Sequence, residues 1–274
     1  ARTALAELAR GWRRQLSTTR FVAITGTCGK TTTKRMLHTV LRTSMRGSCA
    51  PKSFNNDIGV PLSILATSVD DAYAVLEIGT NGPGEIEPLT RLAEPDVSVI
   101  TMIGRGHLEG LGTVEAVATE KAGILRAMRL GGLAIVNGDA ATLRLHLGSI
   151  QNVLRFGAEG GNDLHLTGRG VLPSGGQWFE VNGVDRFELS LPGRHNALNA
   201  LAVIAVARSF GLEDSVIQQG LSRVKPASMR LAVDVVAGVH LMNDAYNANP
   251  ESMAASFETF AEVSKDAEIG RAHV

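Results

Sequence analysis

A chain of 274 residues with 44% hydrophobic content is long enough to bury one large core, or one core and part of a second, which excludes an intrinsically disordered chain. Its 27 Lys and Arg balance its 27 Asp and Glu, so no net field draws it to nucleic acid or to an anionic membrane, and any polyanion site must be local. Cys28 and Cys49 match neither a disulfide framework nor a zinc spacing, no run of about 18 apolar residues could span a bilayer, and the arginine-bearing start lacks the apolar stretch of a signal peptide; together these point to a reducing, cytoplasmic setting.

In chain order, Leu5, Leu8 and Trp12 recur at helical spacing and the polar run from Ser17 breaks the pattern, predicting an entry helix over 1–16. Phe21-Val-Ala-Ile-Thr predicts a short apolar strand, followed by a glycine-containing turn and a helix over 30–41. Strands at 72–78, 97–101 and 133–136 alternate with helices near 85–92 and over 113–128, the pattern of an α/β fold whose parallel sheet carries helices on both faces. From 164 to 191 short alternating runs between glycine-rich turns predict a small antiparallel extension. Helices over 195–210 and 213–224 follow, Pro226 marks a domain junction, and strands at 233–236 and 239–242 lead into a helix beginning near Glu251. Only about 40 residues follow Pro226, too few for an independent domain. The tail 268–274, EIGRAHV, reads as the translation of a sequencing adaptor and is set aside, with the natural product expected to continue beyond about Ala267.

Ile24-Thr-Gly-Thr-Cys-Gly-Lys-Thr-Thr places a glycine turn directly after a strand and at the start of a helix, the context a P-loop requires. In that reading the backbone N–H groups of Gly26, Thr27, Cys28, Gly29 and Thr32 and the positive end of the helix cradle nucleotide phosphates, Lys30 reaches the terminal phosphates, and the Thr31 hydroxyl holds magnesium. ATP and Mg2+ are the implied ligands. Ile24 stands where the general pattern has a further glycine, so Gly26 and Gly29 alone supply the turn; a plain strand-to-helix loop is the alternative.

Other positions carry chemistry and also have plainer readings. Glu77 ends a strand where the carboxyl edge of a parallel sheet opens on a ligand crevice, so its carboxylate can take the metal carried by ATP, or serve as a cap. His107 follows the strand ending near Thr101 and can act as a neutral imidazole ligand, or be an ordinary loop histidine. Lys121 lies on a helix where a surface ion pair with Glu120 or Glu115 is the plain reading. Asn196 and Asn199 share one helix face, with N-terminal capping as their alternative. Asp244 follows a strand end, where a carboxylate can accept from ribose hydroxyls.

Thr25-Gly-Thr-Cys-Gly-Lys-Thr-Thr resembles the TGTxGKTT variant of the P-loop found in Mur ligases and their relatives, the folylpolyglutamate synthases. Four more segments follow in the family's order: Phe54-Asn-Asn-Asp-Ile-Gly-Val-Pro-Leu, Glu77-Ile-Gly-Thr-Asn-Gly-Pro-Gly-Glu-Ile, Gly106-His-Leu-Glu with Glu120-Lys-Ala, and Leu191-Pro-Gly-Arg-His-Asn-Ala-Leu-Asn-Ala-Leu. A sixth, Asn243-Asp-Ala-Tyr-Asn-Ala-Asn-Pro-Glu-Ser-Met, resembles, together with the Asn-Asn-Asp-Ile-Gly-Val-Pro-Leu run, the branch that adds D-alanyl-D-alanine to the peptidoglycan precursor. The similarity covers about residues 18–262.

The resemblance implies a P-loop central domain over 17–225, preceded by a linker helix at 1–16 from a UDP-gripping domain outside this chain, and followed at 226–267 by the start of a Rossmann-like C-terminal domain. It implies that Lys30, Glu77, His107 and Lys121 are catalytic, and that two magnesium ions are held by Thr31, Glu77, His107 and a carbamylated Lys121. Carbamylation needs an uncharged amine, which burial beside metal ions favours. Asn196 and Asn199 are expected on the adenine side of ATP, Arg230 at its phosphates through a rigid guanidinium fork, and Asp244 at its ribose. Asn55, Asn56, Tyr246, Asn247 and Asn249 are expected to meet substrate. Met102, Gly106, Gly123 and Asn243 depart from the family's commoner residues, as does Ala50-Pro-Lys-Ser before Phe54. The implied reaction is ATP-dependent phosphorylation of the carboxylate of UDP-N-acetylmuramoyl-tripeptide, followed by attack of the D-alanyl-D-alanine amine, by a monomer, with this chain alone inactive. Competing readings are a Mur-type ligase adding another amino acid, a folylpolyglutamate synthase-like enzyme, and a nucleotide-binding module without ligase chemistry.

Overall fold

A computed structural model describes residues 1–264; the adaptor-like tail at 268–274 lies outside the described residues. The elements run α1 (Arg2–Gln15), β1 (Arg20–Thr25), α2 (Lys30–Leu41), β2 (Gly47–Cys49), α3 (Gly59–Leu65), β3 (Tyr73–Glu77), α4 (Ile86–Ala93), β4 (Val97–Ile100), α5 (Leu108–Leu111), α6 (Val114–Lys121), α7 (Gly123–Arg126) and β5 (Leu133–Asn137). After a 3-10 turn at Ala141–His146 come β6 (Asn152–Gly157), β7 (Leu164–Val171), β8 (Gln177–Val181), β9 (Asp185–Leu189), α8 (Arg194–Ser209), α9 (Asp214–Leu221), β10 (Ala232–Val236), β11 (Val239–Asn243) and α10 (Pro250–Val263).

Nine strands form one sheet in the order β2-β3-β1-β4-β5-β6-β7-β8-β9. Pairing is parallel from β2 through β7 and antiparallel from β7 to β9, so the predicted extension continues the main sheet. β10 and β11 make a separate antiparallel pair. Phe21 through Thr25 are all buried, as expected of a central parallel strand covered on both faces. The period-2 geometry of β1 sends Val22 and Ile24 into a core shared with α2 and α8, and Phe21 and Ala23 into a second core under α1, α3 and α4. β1 lies between β3 and β4, and its carboxyl end opens where the chain order reverses, the place in such sheets where ligands bind.

The structure departs from the sequence pattern in a few places. The single helix expected over 113–128 is two pieces, α6 and α7, separated at Ala122, and the short α5 precedes them. β2, α3 and β6 go beyond the predicted elements. β2 and α3 are short, and α3 carries Pro61 within its first turn, where a proline costs no helical hydrogen bond.

Candidate functional site

The turn between β1 and α2 is shaped by what presses on it. Gly26 has φ +150° and Gly29 φ +86°; a Cβ on Gly26 would lie 2.0 Å from Thr101 Oγ1, and one on Gly29 would lie 2.5 Å from Asn199 Oδ1. Only glycine fits at either position. The segment after β4 fastens the turn: Thr101 Oγ1 donates to the Cys28 carbonyl at 2.5 Å, Thr27 N–H donates to the Met102 carbonyl at 2.9 Å, and Thr27 Oγ1 accepts from Gly104 N–H at 3.0 Å. Lys30 folds back over the turn, its Nζ donating to the carbonyls of Gly26 at 2.7 Å and Thr27 at 3.2 Å. Burial pushes the Lys30 ammonium below its ordinary pKa, with Glu77 opposing.

Glu77 closes β3 at 1% exposure, and its carboxylate is gripped from three sides. Oε2 accepts from the Thr31 hydroxyl at 2.9 Å and pairs with Lys34 Nζ at 3.2 Å, while Oε1 accepts from Asn55 Nδ2 at 2.9 Å. Arg230 Nη2 donates to Thr31 Oγ1 at 3.3 Å. Among the described residues no group of three or more His, Cys, Asp or Glu side chains gathers into a metal cluster. The expected metal set of Thr31, Glu77, His107 and Lys121 is therefore a mixed one, with a single carboxylate, an imidazole, a hydroxyl and an amine.

His107 adopts φ +62° just before α5, and burial, then the charges of Lys121 and Lys30, lower its pKa and favour the neutral imidazole. Lys121 is 0% exposed, and its Nζ has no hydrogen-bond partner among the described residues. Burial, followed by Lys30, pushes its pKa down to about 7. The plain reading of a surface pair with Glu120 is not what the structure shows: Lys121 is buried, and Glu120 accepts from the backbone N–H groups of Gly84 at 2.6 Å and of Glu85 and Ile86 at 2.9 Å, capping α4.

Asn196 and Asn199 are buried on α8; Asn196 Nδ2 donates to the Pro192 carbonyl at 2.7 Å, so it also braces the start of its helix, and Asn199 abuts Gly29. In the segment after Pro226, the Arg230 guanidinium lies 4.0 Å over the Tyr246 ring, and the Tyr246 hydroxyl meets Ser53 Oγ at 2.8 Å. Asp244 Oδ1 accepts from Leu231 N–H at 3.1 Å, and burial raises its carboxyl pKa. Asn247 Oδ1 accepts from Ala248 N–H at 2.9 Å. Asn249 caps α10, its Oδ1 accepting from Ser252 N–H at 2.8 Å, and its Nδ2 donates to Cys28 Sγ at 3.0 Å. Asn56 Oδ1 accepts from Gly59 N–H at 2.9 Å at the start of α3.

One cavity of about 670 Å3 collects most of these groups. Thr27 to Thr32, Glu77 and His107 line it, as do Asn55, Asn56, Asn196, Asn199, Arg230, Asp244, Tyr246, Asn247 and Asn249. Gly26 and Lys121 do not line it; Lys121 lies behind the wall, close enough for its charge to act on His107. Sequence reasoning missed Lys34, one turn after Lys30 on α2, although the i, i+4 spacing put both on one helix face. It also missed Thr101 and Ser53, which line the same cavity and carry no local signal, and His195, which lines it and lies within the quoted motif at 191–201.

The family model described as "Mur ligase middle domain" matches residues 24–207. The UDP-N-acetylmuramoyl-tripeptide--D-alanyl-D-alanine ligase of Bacillus subtilis is 39% identical over 258 residues, covering 93% of this chain and 56% of that enzyme. Among solved structures, MurF from Acinetobacter baumannii superposes with a TM-score of 0.88 at 32% identity, over 95% of this chain and 58% of that one. MurF from Thermotoga maritima, solved in complex with ADP, gives 0.87 at 31% identity, over 95% of this chain and 61% of that one. The chain thus spans less than two thirds of each of these relatives. No helix among the described residues is long and apolar enough to cross a membrane.

Proposed function

Because the chain belongs to the Mur ligase family, we propose that it is the nucleotide-binding part of an ATP-dependent ligase that joins D-alanyl-D-alanine to UDP-N-acetylmuramoyl-tripeptide, in the cytoplasm and as a monomer. The observation that carries this reading is the convergence, in one cavity, of a P-loop turn with Lys30, the Thr31–Glu77 pair, His107 and Arg230. The relatives' names supply the substrates. Residues 17–225 act as the central domain, 1–16 as the linker into it, and 226–267 as the opening of the C-terminal domain.

The residues present suit magnesium. Glu77 presents a fixed carboxylate beside the Thr31 hydroxyl, His107 is held neutral, and the orphaned Lys121 amine suits carbamylation, which turns it into an anion. When bound, magnesium supplies positive charge at the phosphate oxygens, with Thr31, Glu77, His107 and carbamylated Lys121 as the groups that hold two ions. The chain does the remaining work by position. The backbone N–H groups of the 26–32 turn orient the phosphates, and Lys30 exchanges the carbonyls of Gly26 and Thr27 for the terminal phosphate. Arg230 adds its donor fork, Asn196 and Asn199 face the base, and Asp244 faces the ribose. Asn55, Asn56, Tyr246, Asn247 and Asn249 border the space left for substrate. With charge neutralised and the reactants aligned, the tripeptide carboxylate takes the γ-phosphoryl group, and the dipeptide amine displaces phosphate from the acyl phosphate. The products are an amide, ADP and phosphate.

The test is phosphate release by a ligase that carries this chain between the family's flanking domains. Release is expected only when both the tripeptide nucleotide and D-alanyl-D-alanine are present, which separates this reading from other amide ligases and from a mere nucleotide binder. Lys30→Ala is expected to lower turnover by at least about 100-fold, the scale for removing a charge aimed at the transition state. Turnover with glutamate or another amino acid in place of the dipeptide, or a Lys30→Ala variant near the wild-type rate, rejects the proposal.

A further inference from the structure

Lys34 was not among the expected site residues, yet its ammonium is among the most enclosed groups in the molecule. Its side chain and that of Glu77 are each 1% exposed, and Nζ lies 3.2 Å from Glu77 Oε2. A buried ion pair is a poor device for stability, because desolvating two charges offsets most of their attraction, and an apolar side chain of similar volume often serves as well. What such a pair does supply is a fixed geometry.

Two further observations show what is being fixed. Lys34 Nζ also donates to the main-chain carbonyl of Lys52. Lys52 has φ +45°, a left-handed conformation that a residue bearing a Cβ adopts only when its surroundings hold it there. The turn that begins at Lys52 then reaches Asn55, whose Nδ2 donates to Glu77 Oε1 at 2.9 Å and whose carbonyl accepts from Gly79 N–H at 2.8 Å. One ammonium therefore clamps two things together: the carboxylate at the end of β3, and the strained turn that carries Asn55 and Asn56 to the cavity. Oε2 already serves Thr31 and Lys34, so among the described residues Oε1, with Asn55 as its one donor, keeps a lone-pair direction to spare.

We infer that Lys34 is a positioning residue that locks the Glu77 carboxylate and the 52–56 turn into one rigid unit, coupling the metal-nucleotide side of the cavity to the side that receives the peptide substrate. The inference rests on the nucleotide-magnesium reading of the cavity for its functional consequence, and on geometry alone for the clamp.

The experiment uses the 274-residue chain and its Lys34→Met variant, near-isosteric and uncharged. Two quantities are read: the magnesium concentration needed for half-maximal tightening of ADP binding by calorimetry, and hydrogen-deuterium exchange of the amides of 52–56. In Lys34→Met the magnesium requirement is expected to rise about tenfold while ADP affinity without magnesium stays at the wild-type value, and exchange at 52–56 is expected to accelerate while that of the β4 amides does not. A residue with only a structural role would weaken all of these together. Should Lys34→Met not fold, the Lys34→Met/Glu77→Gln double variant, which leaves no unpaired buried charge, is compared with Glu77→Gln alone by the same exchange measurement. Wild-type exchange at 52–56 in whichever folded variant is measured overturns the inference. If the wild-type chain binds no ADP with or without magnesium, the ligase reading fails, and the exchange data still decide on the clamp.

Discussion

Lys121 is buried to 0% exposure with an amine that meets no hydrogen-bond partner among the described residues, an environment hostile to an ammonium and tolerable to a neutral amine. Its pKa, pushed down to about 7, makes the neutral form available near neutrality, and the neutral form is the one that adds carbon dioxide. In labelled bicarbonate, a carbamate carbon signal is expected by NMR, growing as pH is raised through about 7 and absent from Lys121→Met. No signal well above that pKa would remove Lys121 from the proposed metal set. Stability carries the same sign: the unfolded lysine holds its proton up to its ordinary pKa of 10.5 and the folded one releases it near 7, so stability rises with pH across that window, and the rise flattens in Lys121→Met. Lys121 also shows where reading residues stops. A lysine beside Glu120 on a helix reads plainly as a surface pair, and nothing local reveals that the fold encloses it; only its place in a family motif pointed inward. Lys34 lay in plain view one turn from Lys30, but without knowledge that Glu77 faces it a lysine on a helix reads as solvated.

At the scale of elements, α4 depends on a side chain from another helix. Its first N–H groups lack intrahelical partners, and the Glu120 carboxylate from α6 accepts from Gly84, Glu85 and Ile86. Glu120→Ala is expected to cost about 1–2 kcal/mol in urea-unfolding free energy, the scale for losing a charged helix cap, and Glu120→Gln less. An unchanged midpoint in Glu120→Ala would show that water replaces the cap at no cost. The helix expected over 113–128 is divided at Ala122, between Lys121 and Gly123. The long apolar runs of β1, β3, β4 and β5 were legible because a strand covered on both faces has few polar residues to interrupt it. β2, with Gly47-Ser-Cys, and β6, with Asn152 at its start, were not, because their pairing with β3 and β5 is decided by the sheet and not by propensity.

Across the whole molecule, the segment after Pro226 closes one side of the cavity through polar ties. Arg105 Nε and N–H both meet Glu251 Oε1 at 3.0 Å, and Arg169 Nη1 meets Glu262 Oε2 at 2.8 Å. His195, on α8 where α10 docks, has its pKa pushed down to about 4 by burial and then by Arg169, against the pull of Glu262. The unfolded histidine takes a proton near 6.5, where the folded one still refuses it, so stability is expected to fall as pH drops from about 6.5 to about 4. The loss from this group is about 3 kcal/mol when that window has been crossed, and His195→Gln should shrink the acid-induced drop in Tm by a corresponding amount. Equal drops in the two proteins would exclude His195 as a source of acid sensitivity. This closure could not be read from the sequence: Cys28 and Asn249 touch across 221 positions, and only the shared order of family motifs hinted that such distant segments meet.

The position of β1 between β3 and β4 also orders events in time. A ribosome delivers the Gly26 to Lys30 turn before either strand that flanks β1, since those strands exist only once Glu77 and then Ile100 have been made. Thr101, which presses on Gly26, comes later still, and Asn199 about a hundred residues after that. ADP or ATP in the surrounding solution therefore meets an incomplete grip on a nascent chain that has the turn but not yet Thr101 and Asn199. Whatever assistance nucleotide lends to folding arrives late, after the sheet has already been assembled without it.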